Sequence, residues 1–208
     1  MKKILISLFL CLVFVNTECF AQVEFGIKTG VSLTSMSFDD KDYGSEHPDL
    51  NLYVGPVVKF ALPIECLDIE AGVLYDYKES HVEVFNASGG GYYNFYHIEQ
   101  KQLLIPANLR LGFSLFKDNL GFYLFAGPQL GIVLEGKDIK KEDGNWSHNN
   151  FNLGANFGVG TTLFKHLELS LAYSADITKT GEVRTNTNKI AGKFGALQLN
   201  LGIYFEKR

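Results

Sequence analysis

The chain of 208 residues is short of several things, and each shortage closes off a class of protein. Of its three cysteines, Cys11 and Cys19 fall in the N-terminal segment discussed below, leaving Cys66 alone. A single cysteine makes no internal disulfide and no thiolate metal cluster, so Cys66 reads as a lone thiol in a turn. Positive charge is not in excess: 19 Lys and Arg stand against 23 Asp and Glu, a net charge of −4. Nucleic acid as a partner would want a basic patch, and the sequence has none. Past residue 21 no stretch approaches the run of about 18 apolar residues that a membrane helix needs. Charged residues are only 20% of the chain, yet 13% are aromatic and 21 are glycine. An aromatic-rich, glycine-rich chain without spanning helices points to an all-β protein.

The N-terminus opens MKKILISLFLCLVFVNTECFAQ. Lys2 and Lys3 precede an apolar core of 12 residues, Ile4–Val15, and Cys19-Phe20-Ala21 puts small residues at −3 and −1. This is the pattern of a secretory signal peptide with predicted cleavage after Ala21, too short and wrongly flanked to span a membrane as a helix. Asn16-Thr17-Glu18 before Cys19 does not supply the small-residue box of a lipoprotein. The predicted organisation is a signal peptide at 1–21 and one domain at 22–208, with a mature charge of −5 once two lysines and one glutamate leave.

Eight segments alternate with period 2, the signature of strands with two unlike faces. They run at roughly 24–38, 50–61, 67–79, 99–115, 120–136, 150–164, 167–179 and 194–206. The connections between them alternate long and short, with long ones at 39–49, 80–98, 137–149 and 180–193. That asymmetry is the pattern of outer-membrane barrels, with tight periplasmic turns and longer outside loops. One face of the eight segments collects 50 positions, none charged and none glycine. The facing set of 49 carries 11 charged residues and 12 glycines, so the two faces meet different surroundings.

Alternation alone leaves open which face is inside, since a soluble lipocalin-like barrel also alternates. Glycine decides it. A soluble exterior gains nothing from strand glycines, whereas the narrow lumen of an eight-stranded barrel needs small residues beside its large ones. Spanning an apolar band of roughly 25 Å at about 45° tilt takes roughly 9–11 residues, which these segments supply. The apolar face is therefore expected to meet lipid. By the same logic FNLGANFGVGTTL at 151–163 is a strand, and its three glycines are not a phosphate loop. Pro56, Pro106 and Pro128 fall inside proposed strands; Gly55-Pro56 and Gly127-Pro128 suggest bulges there.

Several stretches resemble the PorT-like outer-membrane β-barrel family common in Bacteroidetes. They are LLIPANLRLGF at 103–113, FYLFAGPQLGIVL at 122–134, FGVGTTL at 157–163, LELSLAYSADIT at 167–178 and LQLNLGIYF at 197–205. Leu104 stands where that family often has a glutamate, and Phe205 is followed by Glu206-Lys207-Arg208 instead of ending the chain. The resemblance implies an eight-stranded antiparallel up-and-down barrel in the outer membrane of a Gram-negative cell, both termini in the periplasm. It implies little about activity.

Candidate sites follow from the inward face. Lys28, Glu70, Asp76, Arg110, Glu135 and Asp176 have mixed signs, and some of them are expected to meet across the lumen. Paired, they plug it; unpaired charge in a dry interior is costly, so the plug is favoured over a solute path. His81, His97 and His148, with Ser80, Ser88 and Ser147 nearby, lack any spacing that marks a nucleophile and base. His47 and His166 are as scattered, and neither a metal site nor a cofactor is implied. Residues 80–98 combine Gly89-Gly90-Gly91 with Tyr92, Tyr93, Phe95 and Tyr96, aromatic candidates for contact with a partner or for an interfacial girdle. The function expected is that of a non-enzymatic membrane protein whose outer loops contact the envelope or a partner. Outer-membrane lipid is the expected partner, with an envelope or secretion protein as a further candidate. A narrow porin-like channel, an accessory role in secretion or envelope assembly, a lipid-A-modifying enzyme and a soluble ligand-binding barrel are the alternatives.

Overall fold

Strands whose every second side chain is apolar satisfy their backbone only by pairing edge to edge, and closure removes the last free edges. In the computed structural model this happens. The structure describes residues 23–38, 43–44, 48–64, 66–85, 93–115, 120–136, 139–141, 144–184 and 189–205. Eight strands form the wall: β1 (Val23–Phe38), β2 (Asp49–Ala61), β3 (Leu67–Gly72, continued by Leu74–Phe85) and β4 (Tyr93–Leu115). The second half is β5 (Leu120–Gly136), β6 (Phe151–Leu163), β7 (Leu167–Asp176) and β8 (Lys189–Phe205). Each pairs antiparallel with its neighbours in sequence. β8 returns to β1 in a ladder from Phe25↔Phe205 to Phe38↔Gly192, which closes the barrel.

The apolar face is outside. Phe157 and Leu171 are 59% and 48% exposed, whereas their neighbours Asn156 and Ser170 are 5% and 4%. An exterior of Phe, Leu, Ile and Val around a polar interior is the inverse of a soluble barrel, so the lipocalin-like alternative is overturned.

Large and small side chains interlock in the lumen. A Cβ at Gly26 would lie 2.8 Å from the Tyr204 ring, and at Gly158 2.7 Å from the Phe125 ring. Gly30 and Gly160 sit in the same way under Tyr53 and Tyr123. Each aromatic ring thus needs a bare patch of wall, which accounts for these four inward glycines.

The prolines cause no bulge. Ile27↔Pro56 and Ala155↔Pro128 are ordinary ladder partners, and the register on either side of each proline is unchanged. The bulge expected from the Gly-Pro pairs is replaced by a short lapse: Val73 N–H donates to the Pro56 carbonyl at 3.0 Å, and the ladder resumes in phase. Gly55 and Gly127 let the carbonyls of Val73 and Ala107 approach where a Cβ would collide. The one register shift in the β4–β5 ladder lies between Lys101 and Gln102.

At one end the connections are tight. β6 and β7 turn over Phe164 and Lys165, with φ of 51° and 65°, and His166 N–H donates to the Leu163 carbonyl at 3.3 Å. At the other end the described parts of the long connections include further paired strand. Ser80–Phe85 continues to pair with Tyr93–Ile98, so these described parts of 80–98 extend the wall as paired strand. Ile139–Lys141, Gly144–His148 and Gly181–Arg184 extend the opposite side as further paired strands.

Candidate functional site

Inward-facing charge gathers at one level of the lumen, nearer the tight-turn end. Arg110 arrives from β4, Glu70 from β3 and Glu168 from β7. The Arg110 guanidinium donates from Nη1 to Glu70 Oε2 at 2.7 Å and from Nη2 to Glu168 Oε1 at 2.8 Å, bridging two walls of the barrel. Lys28 on β1 pairs with the other Glu70 oxygen. Tyr204 on β8 donates its hydroxyl to Glu70 Oε2 at 2.6 Å. Lys59 on β2 reaches Glu168 at 3.4 Å and Glu24 at 2.5 Å, and lies 4.4 Å over the Tyr204 ring. Arg110 stacks 4.0 Å over Tyr123. Glu70, Glu168 and Arg110 are 1%, 2% and 3% exposed, so six strands meet in one buried knot.

Two satellite clusters lie toward the long-hairpin end. Asp76 accepts from Gln102 at 2.8 Å and pairs with Lys78 at 3.5 Å. Asp176 accepts from Asn152 at 2.9 Å and from Thr180 at 2.6 Å. Both carboxylates therefore stand apart from the Arg110 knot.

Of the six charges expected to face the lumen, Lys28, Glu70 and Arg110 meet, while Asp76 and Asp176 hold local partners. Glu135 is a correction. The shift at Lys101/Gln102 leaves Leu134 as an extra residue on β5, which reverses the phase beyond it. Glu135 then points out and pairs with Lys101 at 2.5 Å, its side chain 71% exposed. Lys59, Glu168 and Tyr204 belong to the knot and were missed as site residues. All three lie on the inward phase of their strands, which was the available signal; their depth was not.

Leu104 packs in an apolar cluster with Tyr53, Val57, Leu74 and Tyr204. Tyr92, Ser88 and His47 lie outside the described residues. The backbones of Tyr93, Phe95 and Tyr96 are strand residues paired with Phe85, Glu83 and Val82, and those of His81 and His97 face each other in the ladder. His166 Nδ1 is 3.2 Å from the Tyr204 carbonyl, in the turn.

The voids show what the knot does. On the tight-turn side lies a cavity of about 490 Å³, lined by Lys59, Asp68, Arg110, Tyr123, Glu168 and Tyr204 among others. On the far side a void of about 20 Å³ touches Lys28, Tyr53, Glu70 and Asn200. That is room for about one water, and among the described residues the knot lies between the two spaces.

No curated protein matches the chain in sequence. Among solved structures it is similar to the outer membrane protein OprG from Pseudomonas aeruginosa, with 11% identity, 89% of this chain and 97% of that one covered, and a TM-score of 0.54. The outer membrane protein AlkL in DMPC bilayers is similar over 90% of this chain and 92% of its own, at 13% identity and TM-score 0.49. Ail of Yersinia pestis, in complex with a heparin analogue, is matched over 88% and 99% at 11% identity and TM-score 0.47. A family model for the outer membrane protein beta-barrel domain matches residues 20–180. With an oily exterior, a closed wall and a charged interior already in hand, that match identifies the chain as a member of the outer membrane protein β-barrel domain family.

Proposed function

We propose that this protein is a non-enzymatic barrel with a sealed lumen, whose function lies in the hairpins that rise from its long-connection end. The chain enters the envelope behind a leader removed after Ala21, and both ends of the barrel domain lie in the periplasm. The PorT-like motifs agree with this reading at the level of strand pattern. The observation that carries it is the Arg110 knot, in which every charge has a partner across the wall and the free space stops on either side. A conducting lumen would need continuous water, and a buried network of paired charges displaces it.

A closed lumen leaves the outside hairpins as the working surface. The paired segments Ser80–Phe85 with Tyr93–Ile98, and Ile139–Lys141, Gly144–His148 and Gly181–Arg184, extend the wall and offer rigid edges and faces to envelope components or a partner protein. Planar-bilayer recording tests the sealed lumen. The purified protein is expected to add no steady conductance above the bare bilayer; discrete openings in the wild type would favour the channel reading. Lipid A incubated with the protein is expected to keep its mass, and a shifted mass would restore the enzyme reading.

A further inference from the structure

The outer wall is uneven on one side, near the tight turns. An open apolar groove of about 540 Å³ runs there over β6, with Phe122 and Leu124 of β5 on one bank and Leu169 and Leu171 of β7 on the other. Side-chain size makes it. Val159 stands between its ladder partners Leu124 and Leu171, and Thr161 between Phe122 and Leu169, so the shorter residue lies in the middle at both levels. All four bank residues are exposed. One outward position further from the turns, Phe157 and Tyr173 pack ring to ring at 5.7 Å across β6 and β7 and close that end. The floor asks for no polar partner. Thr161 Oγ1 donates to the Gly121 carbonyl at 2.9 Å, which satisfies its hydroxyl within the wall.

Length selects the occupant. From Phe157 to Leu163, the end of β6, is six residues, or about 20 Å of strand. At the tilt of about 45° usual in such barrels that covers about 14 Å of depth, close to half of a hydrocarbon core of about 30 Å. The groove therefore starts at the turns and stops near the midplane, the reach of one leaflet. Lys165, exposed on the β6–β7 turn below, puts a cation at headgroup depth. A second barrel wall, itself convex, would touch the banks and leave the floor empty.

We infer that this groove is a binding site for one acyl chain of a phospholipid in the leaflet on the tight-turn side. The chain lies along β6 over Val159 and Thr161, and its terminal methyl meets the rings of Phe157 and Tyr173. Bulk lipid tails are as apolar as the wall, so what holds this chain is contact on three sides.

Photolabelling tests the site. Protein purified from membranes is placed in phosphatidylcholine vesicles that contain a phosphatidylcholine with a diazirine midway along one acyl chain. After irradiation the labelled residues are read by peptide mass spectrometry. Val159, Thr161, Leu169 and Leu171 are expected to carry about fivefold more label than Phe25 and Ile27, which face lipid near the same end of the far wall. Val159→Trp, which fills the groove with an apolar side chain, is expected to bring Thr161, Leu169 and Leu171 down to the level of Phe25 and Ile27. Thr161→Leu, a smaller filling, is expected to lower the label part of the way. Heat-modified gel mobility checks that each variant is a folded barrel. Even labelling around the wall, or undiminished label in either folded variant, would overturn the site. So would a groove that stays unlabelled in a protein that elutes as a dimer, a result that gives the face to a second copy.

Discussion

Arg110 holds two carboxylates that come from strands far apart in sequence, and its removal strands them. Lys28 still covers Glu70 and Lys59 still stands near Glu168, but the cross-lumen link and the stack on Tyr123 are lost. Breaking a buried pair by deleting one partner costs about 3–5 kcal/mol, mostly the penalty of the charge left behind. Arg110→Met is therefore expected to lower the unfolding free energy in lipid vesicles by about that amount. Urea titration followed by tryptophan-independent gel mobility measures it. Tyr204→Phe removes one hydroxyl donor from Glu70 and keeps the ring over Gly26. Its cost is expected to be smaller, about 1.5–3 kcal/mol for a hydrogen bond to a charged group. A Tyr204→Phe variant as damaged as Arg110→Met would show that the ring, not the charge knot, organises this level of the barrel.

At the scale of elements, turns and ladders decide where side chains point. The β6–β7 turn places both central residues at positive φ, yet fills them with Phe164 and Lys165. Such two-residue turns favour Asn-Gly, and an ordinary L-residue held there costs about 1–2 kcal/mol. Phe164 is 72% exposed, so little packing is lost by replacing it. Phe164→Asn with Lys165→Gly is expected to raise stability by about 1–2 kcal/mol and to leave the barrel register unchanged. A fall in the urea midpoint would mean that Phe164 is held by a contact at the membrane surface. Elsewhere the ladder overrode local reading. The bulge beside Lys101 turned Glu135 outward, and continued pairing made strand of Ser80–Phe85 and Tyr93–Ile98. Neither is visible in one strand's alternation, because a bulge adds one residue and flips every phase beyond it.

For the whole molecule the governing quantity is the contrast between surroundings. Leu171 points outward from β7 between the inward Ser170 and Ala172. A charged residue on the lipid face costs about 2–4 kcal/mol near the bilayer midplane. Leu171→Arg is expected to lose that much in vesicles of dilauroylphosphatidylcholine, whereas Ser170→Ala, facing the lumen, is expected to stay within about 1 kcal/mol. Comparable losses at both sites would contradict a bilayer on the outside of the wall.

The amino-acid order by itself determined the eight strands, the phase of each up to the shift beside Leu134, and the face that meets lipid. Those properties are local: an apolar side chain at every second residue can be counted within a strand, and glycine and charge on the other face can be counted with it. The same counting placed Lys28, Glu70 and Arg110 on the inward face. Only the tertiary structure decided which inward charges share a level. Depth depends on the stagger between strands, which accumulates around the closed barrel and is set by hydrogen-bond registers such as Asp68↔Arg110 and Glu168↔Gly202. So Glu168, Lys59 and Tyr204 joined Arg110 while Asp76 and Asp176 found partners nearer the hairpins. Coulomb attraction falls with separation, and separation is a property of the closed wall.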